Sequence, residues 1–254
     1  MIKVAVTGAL GRMGRLVIEE IKKSGDMELV AGFDIQGEGL TLLGDVRVSE
    51  AADLKKVLTL TKPGVLIDFT SASAAVGTVI SAAEMGVNLV VGTTGFSEGQ
   101  LGQMKGAIDG HAAAVISPNF SIGVNVLWKL LALAAATLKD YDIEVIEAHH
   151  NQKKDAPSGT ALAAVDVLKN ATGVTQVVHG RKGMALRGKE IGVHAVRGGD
   201  IVGDHTVLFA GPGERLEIKH QAHSRSAFAS GAVRAARWVV KANPGVYSMS
   251  DVLE

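Results

Sequence analysis

The chain opens with a short apolar run that breaks off into three evenly spaced glycines, "IKVAVTGALGRMG" at residues 2–14. An apolar run of this length ending at glycine suits a parallel strand buried on both faces. The next stretch, "RMGRLVIEEIKKS", sets Met13, Leu16, Val17 and Ile21 on one helical face, and Gly25 is a natural stop. The alternation then repeats. "ELVAGFD" reads as a second strand, "AADLKKVLTL" as a helix before the strand "GVLIDF", and "SAAVGTVISAAEM" as a helix before "NLVVG". "EGQLGQMKGAI" and "AAAVIS" form one more helix–strand pair. Strands separated by helices pair in parallel, with the helices on both faces of the sheet.

The pattern changes after about Ser117. A long helix, "NVLWKLLALAAATL", leads into the strand "YDIEVIEAHH" and the helix "GTALAAVDVLKN". "IGVHAVRG", "HTVLFAG" and "RLEIKHQA" follow as strands joined by turn residues, of which "AGPGER" is the strongest signal. Leu216, Ile218 and His220 alternate with charged residues, the period of a sheet with one covered face. This part is predicted to be an α+β region with a mixed or antiparallel sheet. Residues 226–240, "SAFASGAVRAARWVV", read as the final helix.

Composition removes several classes of function. Twenty-six basic residues balance twenty-six acidic ones, which argues against a polyanion-binding surface, and aromatic residues make up only 4%, too few for a base-stacking platform. No nucleic-acid partner is expected. Without cysteine there is no disulfide, thiolate nucleophile or cysteine-ligated metal. "VLWKLLALAAATL" is the longest apolar candidate for a membrane span, but Lys129 interrupts it and it falls short of about 20 residues. The N-terminal residues carry no signal-peptide pattern. These observations predict a cytoplasmic protein with no membrane partner.

Gly8, Gly11 and Gly14 sit where the first strand turns into the first helix, in the spacing G-x-x-G-x-x-G. Glycines here allow a tight turn and close approach of backbone to a pyrophosphate, and the helix N-terminus adds N–H groups and partial positive charge. Asp34 ends the second strand about twenty residues further on, where an acid can accept from the adenosine ribose hydroxyls. This context predicts a Rossmann-like doubly wound sheet that binds a dinucleotide, although three glycines alone also suit a tight turn with no ligand. Arg12 follows the second glycine, where a cation is unfavourable unless it meets a phosphate.

"EAHHNQKKDAPSGTAL", residues 147–162, gathers two histidines and two lysines in front of a helix start. Ser158 is a good N-cap, Gly159 lets a ligand approach the backbone, and Thr160 adds a hydroxyl. Together they form an anion site, with Lys153 and Lys154 just upstream, and they also suit a simple capped helix with surface lysines. Neighbours on a strand point to opposite faces, so His149 and His150 share a pocket only if the strand ends or bulges there. A histidine can move a proton near neutral pH. It can also be a hydrogen-bonded core residue or half of a metal pair, but no third ligand lies at helical spacing, and no metal is expected.

Taken in order, "VTGALGRMGR", "IDFTSASA", "VGTTGFS", "SPNFSIGVN", "EAHHNQKKDAPSGTAL", "RGGDIVGDHTVLFAGPGERLEIKHQAHSR" and "FASGAVRAARW" resemble the 4-hydroxy-tetrahydrodipicolinate reductase family, the dihydrodipicolinate reductases of lysine and diaminopimelate synthesis. The resemblance spans nearly the whole chain. It implies an NAD(P)H-dependent reduction of a cyclic dicarboxylic imine, in which hydride addition leaves an electron-rich enamine to be protonated. It implies a dinucleotide domain of residues 1–120 and 226–254 and a substrate and oligomerisation domain of residues 121–225, assembled as a homotetramer. By the same resemblance Gly8, Ala9, Leu10, Gly11, Arg12 and Met13 cradle the pyrophosphate and Asp34 meets the ribose. Gly92, Thr93 and Thr94, with Ser117, Pro118, Asn119 and Phe120, fall on the nicotinamide side. His149 and Lys153 match the proton-transfer pair, and His150, Ser158, Gly159 and Thr160 match the contacts to substrate carboxylates. The resemblance leaves open which of His149 and Lys153 delivers the proton. Some members of the family carry a basic residue right after the acid of the second strand; here it is Ile35, so NADH preference or dual use of NADH and NADPH is expected.

Overall fold

The computed structural model describes residues 1–254. Its contacts divide the chain into two compact units, Met1–Ile122 with Arg225–Glu254, and Gly123–Ser224.

The first unit is built on β1 (Ile2–Thr7), α1 (Arg12–Lys23), β2 (Met27–Asp34), β3 (Thr41–Leu43), β4 (Val46–Glu50), α2 (Leu54–Thr61), β5 (Val65–Asp68), α3 (Ala72–Glu84), β6 (Asn88–Val91), α4 (Glu98–Ile108) and β7 (Ala113–Ile116). In the second unit follow α5 (Ile122–Thr137), β8 (Asp142–His149), α6 (Gly159–Thr172), β9 (Val177–His179), β10 (Ile191–Arg197), β11 (Gly203–Gly211) and β12 (Glu214–Ala222). The chain then returns to the first unit with α7 (Ser226–Val239), β13 (Gly245–Tyr247) and α8 (Met249–Val252).

The eight-stranded sheet runs β13-β7-β6-β5-β1-β2-β4-β3, parallel throughout except where β3 meets β4. Strand order reverses beside β1, which pairs with both β2 and β5, and such a switch point opens a crevice at the C-terminal ends of the strands. The central strands are apolar on both sides because both faces are covered. Val4, Val6, Val17, Ile21 and Val233 join a core with α1 and α7, while Ala5, Leu66, Val79, Leu89 and Met104 join one with α2, α3 and α4. α7 is not the last element, since β13 and α8 follow it. The first turn shows why glycine is needed. Gly8 has φ +70°, and a Cβ there would lie 2.5 Å from the Phe69 carbonyl oxygen. A Cβ on Gly14 would lie 2.0 Å from the carbonyl oxygen of Gly8, so any larger residue would lift α1 off the turn.

The second unit carries a five-stranded mixed sheet, β12-β11-β8-β10-β9. β8 pairs in parallel with β10 and antiparallel with β11. One face of this sheet is covered by α5 and α6, with Leu131, Val145, Val165, Leu168, Val193, Val207 and Phe209 at the core. No helix in the chain is long and apolar enough to cross a membrane.

Candidate active site

In the first unit the predicted dinucleotide residues meet at the end of β1. Ala9 N–H donates to the Phe33 carbonyl at 3.0 Å, and Gly11 N–H to the Gly8 carbonyl at 3.0 Å, closing the turn. The Asp34 carboxylate accepts from Leu10 N–H at 2.9 Å and from its neighbour Ile35 N–H at 2.8 Å. Both oxygens keep lone pairs for hydroxyl donors. Arg15 is spent on the turn, donating to the Leu10 carbonyl at 2.8 Å, whereas Arg12 is exposed, and Met13 is partly buried against the α1 core. Gly11 caps α1 without a side-chain bond and the first turn holds no acid, so its N–H groups are open to an anion. A cavity of about 290 Å³ lies alongside, lined by Gly8, Gly11, Asp34, Ile35, Leu54 and Ala74 among others. Uncapped N–H groups, an oriented acid and an apolar slot fit the phosphates, ribose and adenine of a dinucleotide.

The residues predicted on the nicotinamide side divide into scaffold and surface. Thr93 is buried and its hydroxyl donates to Asp68 at 2.6 Å. Asp68 is fully buried and also accepts from the hydroxyls of Thr7 at 2.6 Å and Thr70 at 3.0 Å. This carboxylate ties together the ends of β1, β5 and β6. Phe120 is buried with its ring against the edge of Phe69, and Ser117 is buried with its hydroxyl donating to the Asn119 carbonyl at 2.9 Å. Thr94 and Pro118 are exposed, and Gly92 is partly so.

In the second unit β8 stops at His149, which places His150 in the following loop, as a shared pocket requires. His150 N–H donates to the Ile201 carbonyl at 2.7 Å. His149 lies on the covered face with Glu147, two residues before it, and Glu147 has no exposed surface. Four bonds converge on Glu147. Arg197 donates bidentately, at 2.8 Å to one oxygen and 2.9 Å to the other. His149 Nδ1 lies 2.5 Å from Oε2, and Ser158 N–H donates to Oε1 at 3.0 Å. Burial alone would push this carboxyl up, but the bonds from Arg197, His149 and Ser158 together hold it below the ordinary glutamate value. Burial pushes the His149 imidazole down, more strongly than the Glu147 carboxylate raises it, and the nearby cations of Lys153 and Arg197 add to the lowering. The ring is therefore neutral near pH 7.

Ser158 caps α6 as its type and position predict, accepting from Ala161 N–H at 3.1 Å. Its hydroxyl also lies 3.0 Å from His205 Nε2. His205 sits edge-on to His149 with ring centroids 5.1 Å apart, and burial followed by the His149 charge pushes it down to about 4. Gly159 is exposed with nothing within 4 Å of a Cβ position, and Thr160 follows it on the first turn. Lys153 Nζ pairs with Asp155 at 2.9 Å, and Arg197 also donates to the Asp155 carbonyl at 2.6 Å. His149, Lys153, Ser158 and Gly159 thus gather at one end of the sheet. Glu147, Arg197 and His205 were not anticipated as site residues. Only Glu147 left a signal, a carboxylate two positions from His149 on the same strand.

Residues 2–120 match the family profile described as dihydrodipicolinate reductase, N-terminus, and residues 123–253 the one described as dihydrodipicolinate reductase, C-terminus. The 4-hydroxy-tetrahydrodipicolinate reductase of Methanosarcina barkeri is 56% identical over 262 residues, covering 100% of this chain and 99% of the relative. That of Methanothermobacter thermautotrophicus is 53% identical over 270 residues, with the same coverage. Among solved structures, a dipicolinate-bound dihydrodipicolinate reductase from Paenisporosarcina sp. TG-14 is similar over 98% of this chain and 97% of its own, with TM-score 0.83 and 28% identity. An amine dehydrogenase from Mycobacterium smegmatis, at TM-score 0.63 and 18% identity, shares the fold.

Proposed function

The chain belongs to the dihydrodipicolinate reductase family, NAD(P)H-dependent oxidoreductases that reduce 4-hydroxy-tetrahydrodipicolinate in lysine and diaminopimelate synthesis, and from that premise we propose which of its residues carry the reaction. The observation that carries the proposal is the joining of His149 and the α6 N-terminus through one buried carboxylate.

The reduced nicotinamide supplies the hydride. Gly8, Ala9, Leu10, Gly11, Arg12 and Met13 hold the pyrophosphate of that cofactor, and Asp34 holds the ribose. Gly92, Thr93 and Thr94 and the segment Ser117, Pro118, Asn119 and Phe120 shape the nicotinamide side, with Asp68 bracing Thr93. Asp34 repels a ribose phosphate and Ile35 offers it no charge, so NADH is preferred or both cofactors are used.

The α6 start, with Ser158, Gly159 and Thr160, and His150 receive the ring carboxylates. The dipicolinate bound by the Paenisporosarcina relative is a planar ring with two such groups. His149 and Lys153 hold and deliver the proton that the enamine takes up. His149 is neutral before substrate arrives. Two carboxylates brought beside it favour the imidazolium, loading a proton on Nε2, and the Lys153 ammonium stands next to it as a second donor. On the uncovered face of the second sheet, Ile146 and Val196 are exposed and Leu208 is partly so, which supports assembly of a homotetramer through these sheets. We place the enzyme in the cytoplasm.

Replacing His149 or Lys153 with alanine should lower turnover by about 10²- to 10⁴-fold while NADH affinity stays within about threefold. The measurement is the loss of reduced-nicotinamide absorbance with the cyclic dicarboxylate as substrate. Near-normal turnover in either variant removes that residue from the proton transfer.

A further inference from the structure

His149 and Lys153 account for the proton, but not for the carboxylate behind the imidazole. We propose that Glu147 is a positioning residue for the reaction, fixing His149 as its Nδ1–H tautomer so that Nε2 is the nitrogen that exchanges a proton, and fastening that ring to the start of α6. The inference rests on the reading of His149 given above and deepens it.

The hydrogen-bond count carries the argument. An ionised carboxylate only accepts, and it offers two lone pairs on each oxygen. On Oε1 these are filled by Arg197 Nη2 and Ser158 N–H. On Oε2 they are filled by Arg197 Nη1 and His149 Nδ1. Glu147 therefore has no proton to give His149, and Nδ1 must carry the hydrogen. No acceptor position is left for substrate or water, and no part of the side chain is exposed. Glu147 thus acts through His149 rather than on the substrate. His149 keeps 10% of its side-chain surface exposed. A Cβ on Gly203 would lie only 3.0 Å from His149 Nε2, so a glycine at the start of β11 leaves the ring its space.

The charges around this pair come from every strand that flanks it. Arg197 on β10 neutralises Glu147, and Lys153 in the loop after β8 pairs with Asp155. His205 on β11 packs against the His149 ring, with Asp204 and, on β12, His220 behind it. α6 brings no acid in its first turn. The free enzyme therefore holds a neutral imidazole with a carboxylate already in place behind it. When the substrate's carboxylates arrive, the same carboxylate stabilises the imidazolium without further rearrangement.

Two measurements test this on the full-length protein. Nitrogen–proton correlation spectra of the histidine rings in the parent should show His149 protonated on Nδ1 and bare on Nε2. A Nε2–H tautomer overturns the inference without any variant. Kinetically, Glu147→Gln should lower kcat by roughly 10²- to 10³-fold with KM little changed. Its amide can accept on one side only, so Nδ1 loses its fixed acceptor. The histidine limb of the kcat–pH profile should move to lower pH, because the imidazolium has lost its counter-charge. Glu147→Asp, which keeps the charge at shorter reach, should recover part of the rate. A folded Glu147→Gln with parental kcat and pH profile overturns the inference. If Glu147→Gln does not fold, the tautomer in the parent and the rate of Glu147→Asp decide. His149→Ala separates the two levels. Parental turnover in that variant overturns the role given to His149, whereas lost turnover there with parental turnover in Glu147→Gln overturns the positioning role alone.

Discussion

Each unit of the chain buries one carboxylate completely, and the two are satisfied in opposite ways. Asp68 is held by the hydroxyls of Thr7, Thr70 and Thr93, all neutral donors, with its oxygens facing the ends of three parallel strands. Glu147 is held by a bidentate arginine, an imidazole and a backbone N–H. Neutral donors fix a carboxylate in place and respond little to pH. A cation and a titratable ring couple its charge to the surroundings. The difference teaches two uses of a buried carboxylate. The first fastens the ends of β1, β5 and β6 to one another, and the second joins a titratable ring to the start of α6.

The comparison breaks most visibly at Asp68. Alanine there takes the acceptor from three threonine hydroxyls, those of Thr7, Thr70 and Thr93, and should cost about 3–5 kcal/mol of stability in urea unfolding. The isosteric Asp68→Asn should cost less than half of that and leave the kcat–pH profile unchanged. A shifted profile in Asp68→Asn would erase the distinction between the two carboxylates.

His205 sharpens the comparison from the other side. Its folded value is about 4 against an ordinary 6.5. Between these values the unfolded chain binds a proton that the folded chain refuses. The contribution of this residue to stability is full above pH 6.5, falls as pH drops toward 4, and is constant below that. The span corresponds to about 3 kcal/mol. The expected result is a steeper loss of urea midpoint between pH 6.5 and 4 in the parent than in His205→Gln. Parallel curves would mean that this imidazole is protonated in the native state.

The smallest effect belongs to cofactor choice, at the end of β2 in the first unit. Ile35 is 84% exposed beside Asp34. Ile35→Arg offers one charge-assisted contact to a ribose phosphate, worth about 1.5 kcal/mol or roughly tenfold in kcat/KM for NADPH. The NADH value should change little, and so should the kcat–pH profile. No gain with NADPH would show that the ribose site lies elsewhere.

The order of strands and helices in the first unit was legible because each parallel strand is an unbroken apolar run and each helix keeps its own period. β3, β4, β13 and α8 were not, being short segments with no alternation long enough to register. In the second unit Leu216, Ile218 and His220 did alternate as one face of β12. Leu216 nonetheless keeps 44% of its surface, because β12 is an edge strand. The helix cap at Ser158 was readable from residue type alone. Arg197 and His205 were not, because sheet register brings them in. Arg197 stands opposite His149 on β10, and His205 opposite Glu147 on β11. Nothing local in a sequence specifies a partner 50 positions away.

The glycine turn between β1 and α1 has one more consequence. Asp34 is gripped by two backbone N–H groups from Leu10 and Ile35 before any ligand arrives. Its rotamer is already chosen, so docking a ribose freezes almost no torsion at this position and draws little on conformational entropy. A calorimetric titration would register that as a smaller unfavourable entropy of association. Its heat-capacity change would come chiefly from the base entering the slot lined by Ile35, Leu54 and Ala74.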